Sequence, residues 1–135
     1  MPHIFTSKSQ KKGQLGEDIA CKYLEDIDYR IIERNYTKKW GELDIVAFRD
    51  HIYYFIEVKS VSCEITKGKV THVTNSRPES NIDFRKVGRL KRAIQTYMIS
   101  LKLGENDPWK FEVISVFIDR STKKAKIRHL KDIIL

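Results

Sequence analysis

Apolar residues recur along this chain in blocks whose period switches between about 3.6 and 2. Leu15, Ile19, Ala20, Tyr23, Leu24 and Ile27 share one broad face at about 100° per residue, which predicts a helix from near Gln14 to about Asp26. The dozen residues before it are polar and basic and predict a loose arm. Residues 30–36, centred on Ile31 and Ile32, predict a strand, and Trp40-Gly41 turns the chain. Residues 42–48 and 52–61 are rich in β-branched and aromatic side chains and predict two more strands, joined by a tight hairpin at Arg49-Asp50-His51. Residues 63–80 lack clean periodicity, carry Gly68, Asn75 and Pro78, and predict a long mobile loop. A second apolar stripe, Val87, Leu90, Ile94, Tyr97, Met98 and Leu101, predicts a helix capped by Asn81 or Asp83 and ending near Leu103, with Gly104 at C′. Residues 109–119 predict a strongly apolar strand, residues 120–124 a turn, and residues 125–130 a last strand at the sheet edge.

The order α-β-β-β-α-β-β predicts an α/β fold, with a mixed sheet of about five strands flanked by helices. The 135 residues suit one domain. No internal repeat or low-complexity tract divides them.

Composition narrows the classes. Apolar residues make up 41% of the chain, which argues against disorder as a whole-chain description. The longest apolar run, residues 52–56, falls far short of the ~20 residues of a membrane span. Ser, Lys and Gln interrupt the N-terminus, so no secretory segment is expected there. Two cysteines, Cys21 and Cys63, give neither a disulfide framework nor a zinc motif, which points to a reducing cytoplasm. His51 and His72 have no metal-ligand spacing and read as surface residues. The 26 Lys and Arg exceed the 18 Asp and Glu, a net charge of +8. That balance favours an anionic partner, most often nucleic acid; plain solvated charge is the rival explanation.

The segments Gly41-Glu42-Leu43-Asp44 and Phe55-Ile56-Glu57-Val58-Lys59 carry candidate chemistry. Glu57 and Lys59 share one face of a strand, and Val58 points the other way. A two-residue loop at Asp50-His51 pairs positions whose numbers sum to 101, which sets Asp44 opposite Glu57 and Glu42 opposite Lys59. Two facing carboxylates destabilise a sheet unless a divalent cation or an ammonium compensates them. Mg²⁺ takes one or two carboxylates, waters and phosphate oxygens. The set therefore matches metal-assisted phosphodiester hydrolysis. Ordinary exposed positions on the wet face of a sheet are the competing reading, and a one-residue slip in register would separate the acids.

The same residues resemble a known family. Gly16-Glu17, Ala20, Tyr23-Leu24, Arg34-Asn35, Gly41-Glu42-Leu43-Asp44-Ile45 and Phe55-Ile56-Glu57-Val58-Lys59 resemble the YraN-like family of small endonuclease-like proteins. The likeness continues through Lys86, Arg89-Leu90, Ala93 and Tyr97, and weakly into residues 111–116. That family is similar to the PD-(D/E)xK nuclease superfamily, near the archaeal Holliday-junction resolvases. The resemblance implies a restriction-endonuclease-like core and Mg²⁺-dependent DNA cleavage, with Mn²⁺ as a substitute. By position it implies Asp44 and Glu57 as metal ligands, Lys59 as the catalytic lysine, Glu17 as an accessory acid and the Val58 carbonyl as a further ligand. Three departures stand out. Val61 occupies a position usually held by Arg, the segment between Lys59 and Lys86 is longer than in the family pattern, and Phe111-Glu112 replaces Phe-Asp.

The second helix carries Arg85, Lys86, Arg89, Lys91, Arg92 and Lys102. Most of these belong on a solvated face. Lys86 lies beside the buried stripe, where its ammonium can reach toward the acids. Arg85, Arg89 and Arg92 form a basic ridge suited to DNA phosphates. Trp40 and Tyr36 fit packing better than base contact. The expected function is a Mg²⁺-dependent endonuclease-like protein acting on DNA. The alternatives are a homodimeric resolvase acting on branched DNA and a nucleic-acid-binding module with a vestigial site.

Overall fold

The structure, a computed structural model, describes residues 8–74, 84–104 and 106–135. The elements are α1 (Lys8–Asp26), β1 (Arg30–Lys38), β2 (Gly41–Arg49), β3 (Ile52–Thr66), β4 (Lys69–Thr74), α2 (Phe84–Ser100), β5 (Trp109–Asp119) and β6 (Lys124–Ile133). The sheet runs β1-β2-β3-β5-β6, with β4 pairing the far end of β3. Among the described strands only β3 and β5 pair in parallel, so the sheet is mixed, as the element order predicts.

Each helix covers one face. Ala20, Cys21 and Leu24 of α1 pack with Ile45, Ala47, Tyr54, Ile56, Ile114, Val116 and Ile118. Leu90, Ala93, Ile94, Tyr97 and Met98 of α2 pack with Val46, Phe55, Phe111 and Val113 on the other face. Burying each such Leu, Ile or Phe stabilises the fold by roughly 1.5–3 kcal/mol. The alternation of β2 slips at Asp44: Ile45 faces the α1 cluster, yet Leu43 is buried with the α2 cluster.

Helix α1 begins six residues before the expected start, at Lys8. Lys and Gln are good helix formers and prolong the helix beyond its apolar stripe. Both helices end in a Schellman motif. Asp28 (φ 70°) is the left-handed residue after α1, with Tyr29 N–H donating to Leu24 O at 2.9 Å. After α2 that residue is Lys102 (φ 59°), not Gly104, with Leu103 N–H donating to Met98 O at 2.9 Å. The expected caps Asn81 and Asp83 lie outside the described residues, as does the last part of the expected loop, residues 75–80.

The expected loop from residue 63 is instead largely ordered pairing. Strand β3 runs on to Thr66 and turns at Lys67-Gly68 into β4. Lys67 (φ 52°) and Gly68 (φ 77°) make the positive-φ pair of a two-residue hairpin, as Asp50 (φ 51°) and His51 (φ 66°) do between β2 and β3. Asp119 fixes the extension by accepting the Ile65 N–H at 2.8 Å.

Candidate active site

The predicted register holds from Arg49↔Ile52 to Ile45↔Ile56. It then stops one step short of the acids. Val58 N–H donates to the Asp44 carboxylate at 2.9 Å. A carboxylate has thus replaced a backbone acceptor, and β2 parts from β3 where two like charges would otherwise face each other. Glu42 pairs with Thr37 of β1 rather than standing opposite Lys59.

The parting opens a cleft of about 870 Å³. Asp44, Glu57, Val58 and Lys59 line it, as do Glu42, Trp40, Lys86 and Arg89. Gly41 lets α2 approach: a Cβ there would stand 2.8 Å from the Arg89 carbonyl oxygen. Gly16 does the same for α1, where a Cβ would meet Ser60 Oγ at 1.9 Å. That close contact brings the middle of α1 against β3, and Glu17 toward the acids.

The acids act on one another. Burial first, then the charges of Glu17, Glu57 and Glu42, push the Asp44 carboxyl up to about 7, against the opposing Val58 N–H. Burial also raises Glu17, opposed by Arg34 and assisted by Glu42. Glu17 Oε1 lies 3.6 Å from Arg34 Nη2, an ion pair too long for a hydrogen bond, and is buried without a hydrogen-bond partner. Arg34 spends its short contact on Asp18, at 2.8 Å.

Lys86 reaches off α2 and its ammonium contacts Glu57. Arg92 stacks over the Trp40 ring, 4.4 Å from its centroid, so it braces the cleft wall. Arg85 is exposed but does not line the cleft. The three arginines therefore differ in placement, with Arg89 alone on the cleft. Tyr36 packs edge-on against Tyr97. Val61, at the position of the missing Arg, is buried.

Among the described residues, no three His, Cys, Asp or Glu side chains are grouped so as to hold a metal ion by themselves. None of the described helices is long and apolar enough to cross a membrane.

Sequence reasoning missed two features. Arg34 was part of a motif without a role; it gathers the α1 acids. Glu112, which the sequence marks only as a departure, is buried on the α1 face with His129, whose Nε2 lies 2.8 Å from Glu112 Oε1, and with Tyr29, whose hydroxyl donates to it at 2.9 Å. A charged residue inside a strand as apolar as residues 109–119 was the available signal.

The model of the uncharacterised protein family UPF0102 matches residues 16–116. The chain belongs to this family. It is the YraN-like family whose motifs the sequence carries. A UPF0102 protein of Moorella thermoacetica is 35% identical over 126 residues, 93% of this chain and 97% of the relative. One of Desulforamulus reducens is 33% identical over 121 residues, covering 89% and 92%. One of Thermotoga petrophila is 44% identical over 87 residues, covering 64% and 70%. These names state no activity. The matched span holds Glu17, Asp44, Glu57, Lys59 and Lys86, and ends within β5, so β6 lies beyond it.

Proposed function

We propose that this protein is a Mg²⁺-dependent endonuclease-like enzyme that hydrolyses DNA phosphodiester bonds in recombination, repair or DNA processing. One observation carries the reading. Asp44 is buried and feels the charges of Glu17, Glu57 and Glu42 at a cleft that Lys86 and Arg89 also line. Buried negative charge of this kind is costly, and Glu17 Oε1, which has no hydrogen-bond partner and only the 3.6 Å ion pair with Arg34, adds to it. The donors are hard oxygens, which suits Mg²⁺ or Mn²⁺, and a site of one or two carboxylates completed by water needs no third side chain.

In this reading Asp44 and Glu57 hold the ion, with the Val58 carbonyl beside them and Glu17 in support. A bound Mg²⁺ supplies polarisation of the phosphate and a lowered pKa for water. Lys59 orients the water in the cleft. Lys86 and Arg89 hold phosphate oxygens, Arg92 stiffens the wall through Trp40, and Arg85 adds charge at the outer end of α2. Membership of a family resembling the PD-(D/E)xK nucleases supports the same chemistry.

A second reading, a nucleic-acid-binding module with a vestigial site, draws on buried Val61, which leaves no guanidinium at that position for phosphate.

Titration of the protein with Mg²⁺ and Mn²⁺ by calorimetry, together with cleavage assays on four-way junctions, flaps and linear duplex, tests both. Asp44→Ala and Glu57→Ala should abolish cleavage and metal binding while leaving duplex affinity at least at the parental level. Variants that cut as fast as the parent would refute the assignment. A parent that binds duplex but neither binds metal nor cuts would favour the module.

A further inference from the structure

A second strongly basic stretch of the chain lies away from α2. Residues 120–131 hold six Lys or Arg and no Asp or Glu. They form the β5–β6 turn and most of β6, beyond the span shared with the family model. Lys123, Lys124, Lys126 and Arg128 are all exposed.

Asp119 ties this stretch to a second turn. Its Oδ2 accepts the Ile65 N–H at 2.8 Å, and its Oδ1 accepts Ser121 N–H at 3.0 Å and the Ser121 hydroxyl at 2.7 Å. One buried carboxylate thus pins the β3–β4 and β5–β6 hairpins together. Lys67 and Lys69 of the first hairpin are exposed beside the lysines of the second. Lys126 Nζ lies 4.0 Å from where a Cβ on Gly68 would stand, over the neighbouring turn. Asp119 is itself consumed by these bonds. The other nearby acid, Glu64, is exposed with His72 at 3.9 Å.

Register places this patch relative to the cleft. Lys59 pairs with Ser115, and Ser115 with Arg128. Val61 pairs with Phe117, and Phe117 with Lys126. Lys124, Lys126 and Arg128 therefore share the sheet face that carries Glu57 and Lys59. Two strand spacings, about 10 Å, separate Lys59 from Arg128. From Arg128 to Lys124 the row runs on for about 14 Å, the axial length of about four base-pair steps.

We infer that the paired hairpin turns and the outer face of β6 form a second phosphate-binding bank, so that a duplex lies across the sheet with the cleft on one side and these lysines on the other. The inference rests on the reading of the cleft as a DNA site and specifies the path of the DNA through it. Double-stranded DNA fits better than an acidic peptide because the cations form a row continuous with the cleft on one face. Regular phosphates along a stiff rod can meet such a row throughout.

The test is a full-length variant carrying Lys123→Gln, Lys124→Gln and Lys126→Gln, compared with the parent by fluorescence anisotropy on a linear duplex of about 20 base pairs. Affinity at low salt should fall at least about tenfold. The slope of log affinity against log salt should shrink by roughly 0.9 for each lysine that meets a phosphate. The matching Lys→Arg triple variant should bind as the parent does. Mn²⁺ binding measured by calorimetry should be the same in all three proteins, since the cleft is untouched. Parental affinity and slope in the Gln variant would overturn the bank, as would equal losses in the Arg variant, or a parent without duplex affinity. Lost binding to anionic lipid vesicles with duplex affinity kept would also overturn it. The hydrolytic reading fails separately: a parent that binds duplex through these lysines but never cuts supports the bank alone.

Discussion

Asp44 accepts the Val58 amide proton at 2.9 Å, and this bond stands where the β2–β3 ladder ends. One side chain thus does two things. It closes a backbone donor at the end of the hairpin, and it holds a carboxylate within the electrostatic reach of Glu17, Glu57 and Glu42. The hydrogen bond favours the charged form, while burial and the three acids favour the neutral one and prevail.

A pH-dependent stability follows for metal-free protein. Asp44 is raised to about 7, against an ordinary value of about 4. Between those values the folded protein keeps a proton that the unfolded chain releases. Stability therefore falls as pH rises through that window. Asp44→Asn retains an oxygen for the Val58 amide but does not titrate. In chelator, its thermal midpoint should exceed the parent's at pH 8 by an amount worth roughly 1–3 kcal/mol, and the two should converge near pH 4. A variant that melts below the parent at pH 8 would show that the carboxylate is not strained.

Lys86 contacts Glu57, so an ammonium already occupies part of the field a metal would enter. Lys86→Met removes that competitor and keeps most of the stem's packing. Mn²⁺ affinity by calorimetry should rise about fivefold, equivalent to about 1 kcal/mol. A fall in affinity would mean that Lys86 organises Glu57 for the ion rather than competing with it.

The elements that the sequence made legible are those whose apolar spacing is local. The stripes of α1 and α2 announce themselves because each helix buries one face, and the runs of β2, β3 and β5 because the sheet is covered on both faces there. Strand β4 was hidden for the opposite reason. Its hairpin is anchored by Asp119, 54 residues from the Ile65 amide it accepts, and Lys-Gly is a weak turn signal. In the site, register arithmetic brought Asp44 and Glu57 to one end of the hairpin, where both line the cleft without pairing across the ladder, and the position of Lys86 on the helical wheel placed it near them. The end of the ladder at Asp44 was not visible, because it depends on a side chain outcompeting a backbone acceptor. Nor could spacing show that Arg34 would bind Asp18 and Glu17, since that depends on how α1 lies on the sheet.

That seating depends on Gly16. A Cβ there would come within 1.9 Å of Ser60 Oγ and 3.1 Å of Ser60 Cβ. Rotating the hydroxyl relieves only the first contact. Gly16→Ala should destabilise the protein by about 1–3 kcal/mol, read from urea midpoints. Ser60→Gly removes both atoms and should recover much of the loss in the double variant. Full additivity of the two changes would show that α1 and β3 do not meet there.

Tyr29 anchors the other end of α1. Its hydroxyl donates to Glu112 Oε1 at 2.9 Å, and Glu112 also meets His129 at 2.8 Å. Burial and the Glu112 carboxylate hold the phenol above its ordinary range, so it remains a donor across the working pH range. Tyr29→Phe keeps the ring, its edge contact with Tyr54 and the Arg49 guanidinium 5.0 Å from its centroid, and removes only the hydroxyl. The lost bond is to a buried carboxylate, so the cost should be about 1.5–3 kcal/mol. Tyr23 offers the contrast. Its hydroxyl meets His129 Nδ1 at 3.0 Å in a less buried setting, and Tyr23→Phe should cost only about 0.5–1.5 kcal/mol. Equal urea midpoints for the two variants would mean that Glu112 does not fasten α1 to the sheet. The predicted order would mean that a buried acid on β5 helps set the helix that carries Glu17.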